Sequence, residues 1–457
     1  MSPFYTGARG RQKAVPVPWR GLLSRVLVLL LAAGLVPEIL SQTPGSLTLN
    51  RALQAAAERS HALAAQEAAA RSAQEMAVSA GQLPDPMVRF AVDNLPVDGP
   101  TRYSLSDEAM TMRSLGISQT FTPRDKRRAR AAVFERKADT AQAARAMALS
   151  ELYRDTALAW FDRHFQQQLV ELLSRQREEA RLQIEAAEAA YRGGRGPQAD
   201  IFLAKSSVAR IDDRIRQAEA QRDNTATTLA RWVGDLGALP LGPPPATTQL
   251  SLPDHDLEHQ LEQHPDIALM VAREAIARAE AEAARQDRRL DWRLSLAYSQ
   301  RGREYSDMVS VGISAPLQWN RGNRQDRVVA AQLATAEQAR AQREEMTREH
   351  LAETRRWLAT WRSNLQRLAH YDATLVPLAG DATRAALAAY RGGRGELAGV
   401  LDARAREIDT RIERLGIERE TAALWVALEY LTSATDPGGQ LPAGYGFDES
   451  PNLEPQS

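Results

Sequence analysis

The stretch AAYRGGRG, Ala189 to Gly196, lies within AEAAYRGGRGPQADIFLAK and returns from Ala388 to Gly395 within ALAAYRGGRGELAGVLDAR. Each copy ends a long, charge-rich helical pattern and is followed by another. A Gly-Gly-Arg-Gly run continues a helix poorly, since each glycine costs about 1 kcal/mol against alanine. Each copy therefore reads as a tight turn between two long helices, and the chain as a duplicated helical hairpin.

Working outward from the first copy, Arg124 to Arg195 contains no proline. That is about 70 residues, or roughly 105 Å of continuous helix at about 1.5 Å per residue. Leu149, Leu152, Phe161, Phe165, Leu169 and Leu172 fall mostly three or four apart, a coiled-coil-like seam. Ile201 to Val233 is helical again, and Gly234 to Thr248 (GDLGALPLGPPPATT) reads as a linker. Around the second copy, Arg321 to Tyr390 forms the matching long helix, with a kink expected at Pro377, and Leu401 to Leu431 completes the hairpin. The tail after Ser433 is Pro/Gly-rich and expected to be disordered.

Upstream of each long helix the same order repeats. Residues 47–82 are an Ala-rich helical pattern ended by LPDP at 83–86, and Leu252 to Arg285 matches its Leu49 to Gly81 portion. Short alternating segments follow. Val88, Phe90 and Val92 share one face against Arg89, Ala91 and Asp93, while Leu115, Ile117, Gln119 and Phe121 alternate with Gly116, Ser118 and Thr120. In the second half Trp292, Leu294, Leu296 and Tyr298 alternate with Arg293, Ser295, Ala297 and Ser299, and Val309, Val311, Ile313 and Ala315 with Ser310, Gly312 and Ser314. Period two is the strand signal. SLGIS at 114–118 is nearly copied by SVGIS at 310–314. The expected organisation is a signal peptide (1–41), a first repeat (42–236), a linker (237–249), a second repeat (250–432) and a tail (433–457).

The charge balance, 58 basic against 58 acidic residues, provides no basic excess to neutralise phosphates and argues against nucleic acid as a partner. With no cysteine, disulfides, thiolate zinc sites, cysteine nucleophiles and a lipid-modified amino-terminal cysteine are excluded, so no lipoprotein is expected. VLVLLLAAGLV at 26–36 follows Arg20 and Arg25 and is too short for a membrane span, which needs about 20 residues. It reads as a signal peptide with cleavage near Ser41. An exported chain without a later apolar helix enters a membrane only as strands.

Four strands of membrane length leave two open edges, and unpaired backbone groups in lipid cost several kcal/mol each. Four strands do not close a barrel, so the physical exit is a closed oligomer in which each copy donates four. The competing reading is two soluble hairpins packed on helices.

Helix, strand pair and long helical hairpin, given twice after a signal peptide, resemble the TolC family of outer-membrane efflux ducts. The resemblance covers roughly Leu47 to Leu431 and is carried by LTLNRALQAAAERSH, by LPDP, by GISQTFTPRDKRRAR and by the two Gly-rich turns. It implies a mostly α fold with a small β part: a homotrimer with a twelve-stranded barrel in the outer membrane of a Gram-negative bacterium, continued by an α-helical tunnel into the periplasm. LPDPMVRFAVDNLP and SQTFTPRDKRRAR look most like the CzcC-like, heavy-metal resistance branch. That resemblance implies a periplasmic adaptor and an inner-membrane resistance-nodulation-division (RND) pump as partners, with no cofactor.

In the family, the periplasmic tip carries the gate. Its pattern is an aromatic, a glycine three later and an acid nine later, matched by Tyr191, Gly194 and Asp200. In the second copy Tyr390 and Gly393 fit, Gly399 stands in place of the acid, and Asp402 matches another acidic position. By resemblance, Asp200 and Tyr390 form the inter-helix hydrogen bond that holds the entrance shut, and Asp402 rings it and favours cations. Gly395 stands where some members have a gate arginine, beside Arg394. The turns Tyr191, Arg192, Gly193, Gly194, Arg195 and Arg391, Gly392, Gly393, Arg394 dock the adaptor, unless their arginines are simply the solvated end of a turn.

Other motifs carry less. RGGRG lacks the GK[ST] ending and the preceding strand of a phosphate loop. His255, His259 and His264 sit among acids at ligand spacing, but a polar segment leading into a helix explains them as well, and no metal is expected. No Ser-His-Asp or paired-carboxylate constellation stands out, so no enzyme is expected. The leading reading is a passive exit duct for heavy-metal cations. The alternatives are a duct for drugs or for type I protein secretion and, from another class, a periplasmic coiled-coil scaffold.

Overall fold

The computed structural model describes residues 45–250, 264–302 and 304–431. The expected signal peptide, the tail, and His255 and His259 lie outside the described residues.

The helical pattern at 47–82 is two helices, α1 (Leu49–Arg59) and α2 (His61–Ala80). Ser60 divides them, in an extended conformation, and its hydroxyl accepts the Leu63 N–H at 3.3 Å as the N-cap of α2. Strands β1 (Met87–Asp93) and β2 (Met112–Phe121) follow, then α3 (Arg124–Arg192), unbroken over 69 residues, and α4 (Gln198–Val233). The second half gives α5 (Pro265–Gln286), β3 (Trp292–Gln300), β4 (Met308–Ser314), α6 (Gln325–His370), α7 (Val376–Arg391) and α8 (Leu397–Glu429). Strands β1 and β4 are shorter than the membrane length expected of them, and Ala315 lies outside β4. Among the described residues no helix is long and apolar enough to cross a membrane.

The kink expected at Pro377 takes the form of a π-turn, Tyr371–Leu375, directly before α7. Proline has no N–H to return to the preceding turn, and the ladder widens where that donor is missing. The turn is gripped from α8. Arg414 donates to Asp372 Oδ1 at 2.5 Å and Oδ2 at 3.1 Å, and the Tyr371 hydroxyl donates to Glu413 at 3.2 Å.

Helix α3 packs against α2, α4, α5 and α8. The largest core cluster joins Leu47, Leu53, Tyr153, Trp160, Phe161, Phe165, Leu229, Val233, Trp361 and Trp425. A second cluster, Leu173, Val208, Ile211, Ile215 and Ile408, lies further along the hairpins. In the expected seam Leu152, Phe161 and Phe165 are buried, but the buried position near Leu172 is its neighbour Leu173.

The linker after α4 is bound rather than loose. Leu47 pairs with Leu241 in an isolated parallel bridge, with Leu47 N–H donating to Pro240 O at 2.8 Å. Indole N–H groups hold these irregular segments: Trp160 donates to Leu47 O at 3.0 Å, Trp361 to Thr247 O at 3.1 Å and Trp425 to Gln249 O at 2.8 Å. The first two span 113 and 114 residues, the same contact made once in each half. Arg163 adds bonds to Gly237 O and Leu239 O at 2.7 and 2.9 Å. A buried indole needs a partner for its N–H, and an extended strand has free carbonyls to supply.

Candidate functional site: sheet face and hairpin tips

All four strands form one antiparallel sheet in the order β1-β2-β3-β4, leaving β1 and β4 as its edges. The register aligns like with like. Val88, Ile117, Leu296 and Val311 form one cross-strand row, and Phe90, Leu115, Tyr298 and Val309 the next. Leu294 and Ile313 continue that face, which is exposed, Phe90 at 79% and Val311 at 73%. The opposite face carries small and polar residues in the rows Arg89, Gly116, Ala297, Ser310 and Ala91, Ser114, Ser299, Met308. A Cβ at Gly116 would fit tightly there, 3.3 Å from both the Ala297 Cβ and the Leu296 carbonyl oxygen.

At one end of the sheet Phe121 pairs with Trp292, and the strands pass into α3 and out of α5. The residues of the TPRDK passage tie the halves together at this junction. Buried Lys126 lies 3.1 Å from Asp291 and 3.6 Å from Asp287, Arg130 bonds Asp287 at 2.9 Å, and Arg289 pairs with Asp125. Arg127 donates to Gly81 O at 2.7 Å, fixing the end of α2.

At the far end of the hairpins the two Gly-rich turns have one geometry. Arg195 N–H donates to Ala190 O at 2.9 Å and Gly194 N–H to Tyr191 O at 3.0 Å; Arg394 N–H donates to Ala389 O at 2.9 Å and Gly393 N–H to Tyr390 O at 3.0 Å. This nested pair of bonds is a Schellman cap, which puts the residue after the cap in the left-handed region. Gly194 has φ 68° and Gly393 φ 69°, while Gly193 and Gly392 have ordinary negative φ. One glycine per turn is therefore conformationally required.

The tips pack on each other through Ala187, Ala204, Leu397 and Val400, with Ile201, Leu387 and Tyr390 around them. Asp200 and Tyr390 are brought together, the hydroxyl donating to Asp200 Oδ2 at 3.5 Å, the long limit of a hydrogen bond. Partial burial raises the Tyr390 pKa, and the Asp200 charge adds to it, so the phenol remains a donor. Tyr191, Arg192, Gly193, Gly194 and Arg195 are exposed, as are Arg391, Gly392, Gly393, Arg394, Gly395, Gly399 and Asp402. Each turn caps a helix, so no strand precedes RGGRG.

Behind the tips lies a polar group that sequence reading missed. Arg404 of α8 is 8% exposed and donates to Gln176 Oε1 of α3 at 3.2 Å and to Glu179, with Glu407 at 3.6 Å. Charged residues crowd every face of these helices, so nothing in the spacing distinguishes this arginine from its solvated neighbours. Likewise His264 was grouped with its sequence neighbours, whereas the fold sets it against His350, 4.4 Å between ring centres.

Residues 52–235 match the family described as "Outer membrane efflux protein". No curated protein sequence matches the chain. Among solved structures, the outer-membrane channel OprN is similar with a TM-score of 0.73 at 19% identity, covering 85% of this chain and 91% of its own. The outer membrane protein VceC of Vibrio cholerae gives 0.69 at 18%, covering 84% and 96%. CusC, described by its transmembrane channel formation, gives 0.66 at 14%, covering 84% and 92%. At these identities the likeness is one of fold: residues 52–235 carry the outer membrane efflux family match, and the chain has the fold of the TolC-like outer-membrane channels.

Proposed function

We propose that the chain is the outer-membrane channel of a tripartite RND-type efflux system, a passive exit duct that assembles as a homotrimer in a Gram-negative outer membrane and reaches into the periplasm. The observation that carries this is the sheet: one face apolar across all four strands, the other small and polar, and both edges unpaired. Three copies joined edge to edge give twelve strands, an apolar band toward lipid and a polar lumen. The scaffold alternative leaves a continuous exposed apolar face in water, which monomeric proteins avoid. A duct of this kind hydrolyses nothing, and the energy comes from the inner-membrane pump.

At the tips, Asp200 and Tyr390 act as the closing contact and Asp402 as an acidic ring that favours cations. Arg192, Arg195, Arg391 and Arg394 form a basic rim that docks the helical tips of the periplasmic adaptor. The cargo reading, heavy-metal cations of the cobalt, zinc and cadmium or copper and silver type, rests on the resemblance of LPDPMVRFAVDNLP and SQTFTPRDKRRAR to the CzcC-like branch.

Fractionation tests the duct. Heat-resistant trimer bands in the outer-membrane fraction are expected; a soluble periplasmic monomer overturns the proposal. A strain lacking the gene should become sensitive to these metals, and sensitivity confined to drugs would replace the cargo class. Changing all four tip arginines to glutamate should abolish cross-linking to the adaptor with trimers intact, and undiminished cross-linking removes the docking role.

A further inference from the structure

Helix α5 begins at His264, whose Nδ1 accepts the Asp266 backbone N–H at 3.2 Å as its N-cap. Its first turn lies against the middle of α6, where His350 meets it. His350 Nε2 is 3.2 Å from Asp266 Oδ2, and His264 Nδ1 is 3.7 Å from the same oxygen. One ligand atom from each of the three residues lies within 4.8 Å of the others, and among the described residues this is the group so arranged. The side chains are mostly enclosed, at 11%, 28% and 15% exposure for His264, Asp266 and His350. The same helix pair is fixed further along by Arg343, which donates to Glu274 at 2.7 Å, so α5 and α6 are held in register whether or not the three residues share a ligand.

We propose that His264, Asp266 and His350 bind one divalent transition-metal cation, of the zinc, nickel or cobalt class, which staples the start of α5 to α6. Two imidazoles and one carboxylate are the donors this class prefers, whereas magnesium and calcium take oxygen ligands. An ion about 2.0–2.2 Å from each ligand in tetrahedral geometry sets ligand atoms about 3.4 Å apart. The two contacts to Asp266 already bracket that separation, and all three ligand atoms lie within 4.8 Å of one another. His264 Nδ1 already presents its lone pair, since it accepts the Asp266 N–H. The cation replaces the Asp266 N–H as the partner of that lone pair, or the ring turns to offer its other nitrogen.

The surrounding charge favours a cation. Asp266 is joined by Glu349 and Glu353, which act on His350 from α6, against Arg154 of α3 and the positive end of the α5 dipole. Without an ion, two rings this close repel as soon as both are protonated. The inference stands apart from the efflux reading, since it concerns a site in one chain whatever that chain conveys.

The test uses the full chain in detergent, stripped with chelator and titrated with Zn2+ by calorimetry and with Co2+ by its visible absorption. One ion per chain, with cobalt bands of nitrogen and oxygen ligation, is expected, with Mg2+ failing to compete. His264→Asn keeps a good N-cap while removing the ligand, and His350→Gln removes the other imidazole. Each should weaken Zn2+ binding at least tenfold and abolish the zinc-dependent rise in melting temperature. A wild-type protein that takes up no stoichiometric Zn2+ or Co2+ overturns the proposal. So does binding unchanged in both folded variants, or binding lost only when His255 and His259 are replaced. Should one variant fail to fold, the other decides alone.

Discussion

Single residues show most plainly what distance along the chain conceals. Asp200 and Tyr390 were named through the resemblance, which matches them to positions at fixed offsets from a turn that occurs twice. Their meeting at 3.5 Å required only that the two turns lie side by side. Arg404, Trp160 and His350 were not legible: their partners are Gln176, Leu47 and His264, far away in sequence and of ordinary type. Burial selects these residues, and burial is a property of the packed helices. The Asp200–Tyr390 contact is long, part-exposed and worth no more than about 1 kcal/mol by the usual measure of such bonds. Its effect is expected in gating rather than folding. Asp200→Ala combined with Tyr390→Phe should leave trimers stable and raise single-channel conductance in planar bilayers; unchanged conductance removes these residues from the gate.

At the level of elements, periodicity performed well where one force acted. The long helices and both strand pairs followed from apolar spacing, helped between Arg124 and Arg195 by the absence of proline. A boundary was missed where local capping intervened, as at Ser60, whereas the interruption expected at Pro377 appears as a π-turn. In the linker after α4, Pro and Gly exclude helix but leave backbone carbonyls for Trp361 and Trp425 to hold. The sheet offers a two-sided test at neighbouring positions of β4. Val311 is exposed on the apolar face and Ser310 lies on the polar one. Val311→Arg should destabilise the assembly by about 2–4 kcal/mol, the range for a charge near the middle of a lipid-facing strand. Ser310→Arg should assemble normally and reduce conductance instead. Equal effects from both variants, measured by trimer melting, would refute the assignment of faces.

For the whole molecule the decisive feature is incompleteness. A four-stranded sheet with two free edges exposes N–H and C=O groups that lipid cannot satisfy. On the proposed duct reading, the edges β1 and β4 meet across copies. The chain has no cysteine, so an introduced pair reports without background. Cysteine at Arg89 in β1, combined in turn with cysteine at Met308, Ser310 or Gly312 in β4, which share its face, should give in one register a covalent trimer under oxidising conditions. Monomer alone in every register would mean that the edges are covered by something other than sister copies.

Two kinds of information are separable here. Order, duplication, helix length and the alternation of each strand are local or periodic, and composition with spacing was enough to specify them. The expectation of an oligomer is of the same kind, since it comes from strand number and backbone chemistry once the sheet is read as lying in lipid. The register that aligns four apolar rows, the straps under the indoles, the buried Arg404 and the His264–Asp266–His350 group depended on tertiary structure. Each needs side chains from remote segments to arrive at one place, and only the packing of the helices against one another brings them there.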